Sequence, residues 1–339
     1  MKFDFVIGNP PYQQDAKGSN ENDTPLYHYF YDAAFDLADK VELITPARFL
    51  ANAGGTPKKW NEKMLEDKHL KILSYTQNSD EIFKNTDIKG GVVITYRDTN
   101  HDFGAIKVFT TYKELRTIKE KVETNNFQSL SEIVSNRGLY RFSEEAFRNY
   151  PELNEKLSDS RISTFAFSRL EKIFSESKPN DNHEYIQLYG NYKSERVYRW
   201  IRKDFVKDTS NLYCYKVIVP KANGSGALGE TLSTPLVIGP FVGFTETYIS
   251  IGETSNKDEA NAILKYIKTK FARTLLGVLK ITQDNAKPKW KYVPIQDFSN
   301  SSDIDWKLPI TEIDKQLYKK YKLNEEEIKF IEKNVKEMV

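Results

Sequence analysis

The sequence predicts an α/β protein built as a sheet domain followed by a second, α+β domain and a helical tail. Three observations carry that expectation. A strand, a helix and a second strand are legible within the first 45 residues, short aromatic and β-branched runs follow residue 184, and the carboxyl-terminal segment patterns as helices. A length of 339 residues suits roughly two domains and supplies ample apolar material for their cores.

Phe3, Phe5, Val6 and Ile7 read as a short buried strand running into Gly8-Asn9-Pro10-Pro11-Tyr12. A ladder cannot continue through two prolines, because each lacks a backbone donor and Pro11 also restricts Pro10. The polar end therefore projects as a stiff loop from the strand's carboxyl edge, where open α/β sheets place their ligands. Asn9 offers one side-chain acceptor and two donors. Asn9 and the Pro10 carbonyl can together accept both hydrogens of an exocyclic amine, with Tyr12 stacked on the ring that carries it. A flipped adenine fits that description.

Asn9-Pro10-Pro11-Tyr12 resembles the catalytic tetrapeptide of DNA amino-methyltransferases. The longer run from Ile7 to Gln13, behind a hydrophobic strand, is most similar to the adenine-N6 branch found in combined restriction-modification enzymes. The resemblance implies a partial class I methyltransferase-like sheet, S-adenosylmethionine as methyl donor, double-stranded DNA as partner and a base flipped out of the duplex. It assigns the tetrapeptide Asn9, Pro10, Pro11 and Tyr12 to catalysis, with the amine held by Asn9 and Pro10 and the base stacked on Tyr12.

After a polar stretch from Gln14 to Asn22, expected to be mobile, Thr24-Pro25 supplies an N-cap and first-turn proline for a helix through Asp39. Val41 to Thr45 follows as a strand ended by Pro46, giving one crossover of a mostly parallel sheet. Thr45-Pro46-Ala47-Arg48 resembles the family's next element, which implies that Thr45 and Pro46 line the base pocket. Arg48 is a candidate phosphate contact or simply an exposed arginine. Gly54-Gly55-Thr56-Pro57 resets the chain before a helix over 58–66; it lacks the spacing of a nucleotide loop. Leu70 to Tyr75 and Gly90 to Tyr96 read as strands, with Asp80 to Phe83 a helical turn and Ala105 to Phe109 the hairpin partner of the second strand. Phe83 is a candidate second ring against the base, or a core phenylalanine. A helix over 112–122 and a polar run place a domain boundary near 125, closing a first domain at 1–125.

Residues 126–183 read as a connector with a short helix at 165–174. The segment 184–300 resembles the target-recognition domain that accompanies such enzymes, and 301–339 a helical tail. Strand material recurs at 185–189, 196–201, 213–219, 236–238 and 245–251. Between 190 and 222 eight Lys/Arg stand against three Asp/Glu, interleaved with rings. That pattern suits phosphate attraction plus stacking, and it makes Lys193, Arg196, Arg199, Arg202, Lys203, Lys221 and Asn223 candidate DNA contacts, the last two on a Gly/Ser loop that equally reads as an ordinary connector. Residues 256–279 pattern as one helix with an apolar stripe. Eight Lys/Arg and one acid between 264 and 291 add Arg273, Lys287 and Lys289, with a solvated lysine face as the alternative. Arg273, Ile281-Thr282-Gln283, Trp290 to Pro294 and Asp297-Phe298 carry the resemblance here. Thr311 with Asp314, and Asn324 with Glu327, have capping-box spacing.

Composition bounds the rest. Hydrophobic residues make up 39% and charged residues 29%, with a formal charge of +2, so net charge alone announces no partner. One cysteine, Cys214, and four scattered histidines give no disulfide and no metal-ligand spacing. No apolar run approaches the roughly 20 residues that cross a bilayer and no leader is visible, so a cytoplasmic protein without a membrane partner is expected. The family's acidic-glycine loop for S-adenosylmethionine lies upstream of its tetrapeptide, and only Met1-Lys2 precede the strand here. The expectation is a chain lacking the donor-binding half, served by an upstream domain or a separate methyltransferase subunit, and inactive without it on the alternative reading. No Asp plus Glu-x-Lys arrangement suggests a nuclease centre.

Overall fold

The computed structural model describes residues 3–14, 24–51, 55–86, 88, 90–110, 112–124, 126–280 and 282–338. Two compact units divide the chain, Met1–Thr111 and Tyr112–Val339, and both mix helices with sheet. Most of the stretch expected to be mobile, together with Gly54 and Ile281, lies outside the described residues.

In the first unit the elements run β1 (Val6–Gly8), β2 (Gln13–Gln14), β3 (Thr24–Pro25), α1 (Tyr27–Leu37), β4 (Lys40–Pro46), α2 (Lys58–Glu66), β5 (Leu70–Thr76) and β6 (Val92–Asp98). The main sheet has the order β1-β4-β6-β5. β1 lies parallel to β4, pairing Val6 with Val41 and Gly8 with Leu43, while β6 runs antiparallel to both β4 and β5. Helix α1 buries Tyr27, Tyr31 and Ala34, at three- and four-residue steps, in the cluster that holds Val41 and Leu43. The Tyr31 hydroxyl, wholly buried, sits 3.0 Å from Thr45 Oγ1 and 2.7 Å from Thr95 Oγ1, so its burial is matched by partners. Helix α2 adds Trp60, Met64 and Leu65, the Trp60 ring 5.3 Å from Phe49.

Two expectations are corrected here. Helix α1 begins at Tyr27, because Thr24 and Pro25 are taken up in pairing with Gln14 and Gln13. Ala105 to Phe109 is not a strand; β6 instead inserts between β4 and β5. The return that allows this passes through Gly90 and Gly91 at φ +90° and +79°, and a Cβ on Gly91 would stand 2.5 Å from the Thr76 carbonyl oxygen.

The second unit holds α3 (Lys113–Glu123), the short helices α4 (Glu144–Asn149), α5 (Leu153–Lys156) and α6 (Ala166–Arg169), and two three-stranded sheets. One sheet is ordered β11-β7-β8, from β7 (Tyr185–Tyr192), β8 (Glu195–Arg202) and β11 (Val242–Phe244); the other is β10-β9-β12, from β9 (Tyr215–Pro220), β10 (Leu236–Ile238) and β12 (Tyr248–Thr254). The hairpin β7–β8 turns through Lys193 and Ser194 at φ +48° and +70°, the signs of a two-residue primed turn. The segment expected as a connector is structural: Tyr140, Phe142, Leu153, Ile162 and Phe167 share one buried cluster with Ile186, Leu188, Ile201 and Phe244. The units divide before α3, ahead of the boundary expected near 125.

Helices α7 (Lys257–Lys268), α8 (Lys270–Leu276), α9 (Ile310–Lys320) and α10 (Glu325–Asn334) complete the unit. The single helix expected over 256–279 is broken at Thr269, whose backbone is extended and whose hydroxyl accepts from the Ala272 amide. Asp314 does not cap its own helix. Its buried carboxylate accepts from the amides of Lys270 and Phe271 at 3.0 and 2.9 Å, capping α8 from outside. The Asn324–Glu327 capping box forms as the spacing predicts. None of the helices described is long and apolar enough to cross a membrane.

Candidate active site at the carboxyl edge of the first sheet

Parallel pairing of β1 with β4 sends both carboxyl ends to the same sheet edge, and the antiparallel β6 brings its start there. Asn9, Pro10, Pro11 and Tyr12 leave β1 at that edge, and Thr45 and Pro46 end β4 beside them. β5 ends opposite the start of β6, and the turn after it returns Phe83 to the same region. Residues separated by more than seventy positions in the chain are thus gathered by topology.

The loop is anchored on its far side. The Tyr12 carbonyl accepts from the Leu26 amide at 2.9 Å, and Gln13–Gln14 pair with Thr24–Pro25. The Tyr12 ring stands edge-on to Phe83 at 6.3 Å. Its hydroxyl is buried without a partner among the described residues, and burial pushes its pKa up to about 12. Tyr12 is therefore a neutral ring at physiological pH. Asn9 and Pro11 are exposed and Pro10 half-buried, which leaves the Asn9 amide reachable by a ligand.

Thr45 and Pro46 are buried, and the Thr45 hydroxyl is engaged by Tyr31. Thr45 fixes the end of β4 from inside the core, directly behind the loop that leaves β1. Arg48 is exposed, and a Cβ on Gly90 would meet its Cγ at 2.6 Å. Sequence reasoning missed Tyr31 and Thr95, which tie helix α1 to two strands; the four-residue step from Tyr27 to Tyr31 was the available signal. It also missed His28, whose buried Nδ1 has no partner among the described residues and whose pKa is lowered by burial.

The basic candidates of the second unit separate by environment. Lys193 and Arg196 are exposed at the tip of the β7–β8 hairpin, with the Arg196 guanidinium 6.0 Å from the Tyr248 ring. Arg199, Arg202 and Lys203 are paired with Glu176, Asp204 and Glu184 at 2.9, 2.5 and 3.1 Å. Lys287 and Lys289 lie half-buried on a short 3-10 turn. Two expectations are corrected. Arg273 is 2% exposed and donates to the carbonyls of Lys268, Gly229, Glu230 and Lys336, so its guanidinium serves the interior. Asn223 is buried too, donating to the Thr231 carbonyl. Lys221 is half-buried. A cavity of about 1100 Å³ beside α7, rimmed by Lys265, Trp306 and Gln316, holds none of the candidate catalytic, base-pocket or DNA-contact residues.

Residues 1–83 match the family described as Eco57I restriction-modification methylase. The amino-terminal unit is similar to a restriction-modification methylase. The chain is also 34% identical over 95 residues to a Mycoplasma pneumoniae protein described as an uncharacterized adenine-specific methylase; the aligned part spans 27% of this chain and 22% of that relative. Among solved structures, the type IIG restriction endonuclease BpuSI is similar at a TM-score of 0.34 and 10% identity, covering 87% of this chain and 44% of the other. The ATP-dependent type ISP restriction-modification enzyme LlaBIII bound to DNA is similar at 0.29 and 10% identity, covering 82% and 28%.

Among the described residues no group of three or more His, Cys, Asp and Glu could hold a metal. Among the described residues of the first unit, the glycines do not form the loop that links a parallel strand to a helix and cradles a nucleoside. Gly8 opens onto two prolines, and Gly90–Gly91 precede a strand rather than link a parallel strand to a helix.

Proposed function

We propose that this chain is the base-holding and DNA-recognition part of an adenine-N6-specific DNA methyltransferase of a restriction-modification system, with S-adenosylmethionine as methyl donor. The single observation that carries the reading is the gathering of Asn9, Pro10, Tyr12 and Phe83 at one sheet edge, within the segment that matches the methylase family. The Asn9 side-chain carbonyl and the Pro10 carbonyl accept the two hydrogens of the adenine amine. In a transfer from the donor's sulfonium, which would leave as the neutral thioether, that nitrogen would become cationic and then give up one of its two hydrogens as a proton to water; two acceptors aimed at those hydrogens stabilise the developing charge. Tyr12 and Phe83 hold the flipped ring, Tyr12 staying neutral because its pKa is far above physiological pH. The second unit, with Lys193 and Arg196 at a hairpin tip, holds the duplex.

The donor is held by another polypeptide segment, an upstream domain or a separate subunit, that joins the first unit along β1. Phe3, Phe5 and Ile7 are 49, 43 and 71% exposed there, and β1 carries no second strand among the described residues. The same observation favours a second reading in which the chain recognises DNA and holds a base, and is silent without that partner.

Asn9→Ala in the reconstituted enzyme tests the catalytic assignment. Methyl transfer falls by about 100-fold or more while duplex binding persists; unchanged methylation removes Asn9 from its role. Calorimetry of the chain alone with S-adenosylmethionine tests where the donor is held. Absence of heat supports dependence on a partner, and saturable heat overturns it.

A further inference from the structure

Three chain segments of the second unit bring cations onto one buried carboxylate. Glu246, 8% exposed, accepts from Arg137 Nε at 2.5 Å and from Arg161 Nη1 at 2.9 Å, both on the same oxygen. Arg161 is also held by Asp159, its Nε at 2.7 Å and its Nη2 at 2.5 Å from one carboxylate oxygen, which leaves its remaining N–H groups for an outside acceptor. Arg141 faces Arg161 across an antiparallel bridge, and its Nη1 donates to Ser160 Oγ at 3.4 Å. Lys221 reaches in from the end of β9, its Nζ 3.5 Å from Thr164 Oγ1. Its pKa is lowered, first by burial and then by Arg137 and Arg161, against the opposing pull of Glu246.

The charges at this spot do not balance. Four cations, Arg137, Arg141, Arg161 and Lys221, meet two carboxylates, Asp159 and Glu246. Arg141 and Arg161 stand opposite each other across one isolated antiparallel bridge, where two like charges repel. Gly138 sits at φ +68° with the Arg161 side chain packed where its Cβ would be, so the backbone yields room for the guanidinium. Among the described residues Arg137 engages only its Nε, and its side chain is 57% exposed, leaving both terminal amino groups for another acceptor. Two residues on from Glu246, Tyr248 begins β12, and its ring faces Arg196 at 6.0 Å. One short segment, 246–248, thus carries contacts to both the cluster and the hairpin's Arg196.

Resting on the reading that this unit binds DNA, we infer that Arg137 and Arg161, oriented by Glu246 and joined by Lys221, form a clamp for a phosphodiester group of the duplex backbone. The planar guanidinium fork suits phosphate oxygens, and one carboxylate fixing two forks gives them a shared direction. Glu246 is a positioning residue. It touches no DNA and acts by holding the two arginines.

The test is duplex binding by the full chain, followed by fluorescence anisotropy across a salt series. Arg137→Gln and Arg161→Gln are expected to weaken binding several-fold at about 100 mM salt and to lower the slope of log affinity against log salt by about 0.9 for each lost phosphate contact. Glu246→Gln weakens binding through the same slope change, a readout that a purely structural role would not move. Lys315→Gln, on α9 beside Glu312, leaves affinity and slope unchanged. Wild-type affinity and slope in Arg137→Gln, with binding lost in a Lys193→Gln, Arg196→Gln double variant, overturns the clamp and leaves DNA binding standing. A wild-type chain that binds no duplex at low salt overturns both. Arg137 is exposed enough that its substitution does not threaten folding, so an unchanged slope in a folded variant is decisive.

Discussion

At the scale of single residues, Asp314 shows how a spacing can be right and its meaning wrong. Thr311 and Asp314 have the interval of a capping box, yet α9 has no side-chain cap and the carboxylate serves α8. Burial raises its pKa to about 6; the Phe271 and Lys270 amides pull it down, Glu332 raises it further and Arg273 lowers it. A folded-state value above the ordinary 3.8 means that the folded protein binds the proton more tightly. This contribution to stability is full below about pH 4 and is lost as pH rises through about 6. Asp314→Asn keeps an acceptor for the α8 amides without the buried charge. Its melting temperature at pH 7 is expected to match or exceed wild type, with the pH dependence between about 4 and 6 flattened. Asp314→Ala loses the cap and costs about 1 kcal/mol. Thermal melts across that pH range check both outcomes, and an Asn variant that keeps the wild-type pH profile would refute the assignment.

At the scale of elements, hydrophobic periodicity made most of the first sheet legible. The strands over 41–45 and 70–75 and the helix over 58–66 formed within a residue or so of expectation, because their apolar positions follow a single period. The order of strands was less legible. Nothing local in Val92–Asp98 says that it inserts between two strands instead of pairing with the next segment. Helix α1 lost its first turn to a two-residue pairing that no propensity encodes, and Thr269 breaks a stripe that reads as continuous because α7 and α8 both bury apolar positions in that stripe. Of the candidate site, the stiff loop leaving β1 was legible from residue chemistry, whereas Phe83 was named from the resemblance, and the roles of both remain proposals. The interior roles of Arg273 and Asn223 were not legible, because basic and polar side chains look alike in sequence whether they face solvent or a row of buried carbonyls. The open strand β1 leads to its own expectation. Ile7→Lys, at a position 71% exposed, should shift stability by no more than about 0.5 kcal/mol while abolishing association with the donor-holding segment proposed above. Sedimentation with the reconstituting partner reads this out, and undiminished association would show that β1 is not the joining edge.

At the scale of the molecule, the two compact units, Met1–Thr111 and Tyr112–Val339, differ from the four segments expected from sequence texture. Segment 126–183 is polar on average, yet its few apolar side chains supply part of the central cluster of the second unit. Composition reports averages, whereas a core needs only a handful of well-placed residues. The same unit holds its first and last helices together. Glu327, 2% exposed on α10, accepts from Lys121 Nζ at 2.6 Å and Thr117 Oγ1 at 2.8 Å on α3, and the Tyr112 and Phe330 rings lie 5.1 Å apart. A unit whose two ends meet has no fixed starting point. Joining them with a short linker and opening the chain at the exposed Ser225 loop should give a circular permutant that folds cooperatively, measured by a single sharp thermal transition. An unfolded permutant would show that the order of synthesis matters. Ends that meet are the geometric condition for inserting a unit between other coding segments without parting its first and last helices.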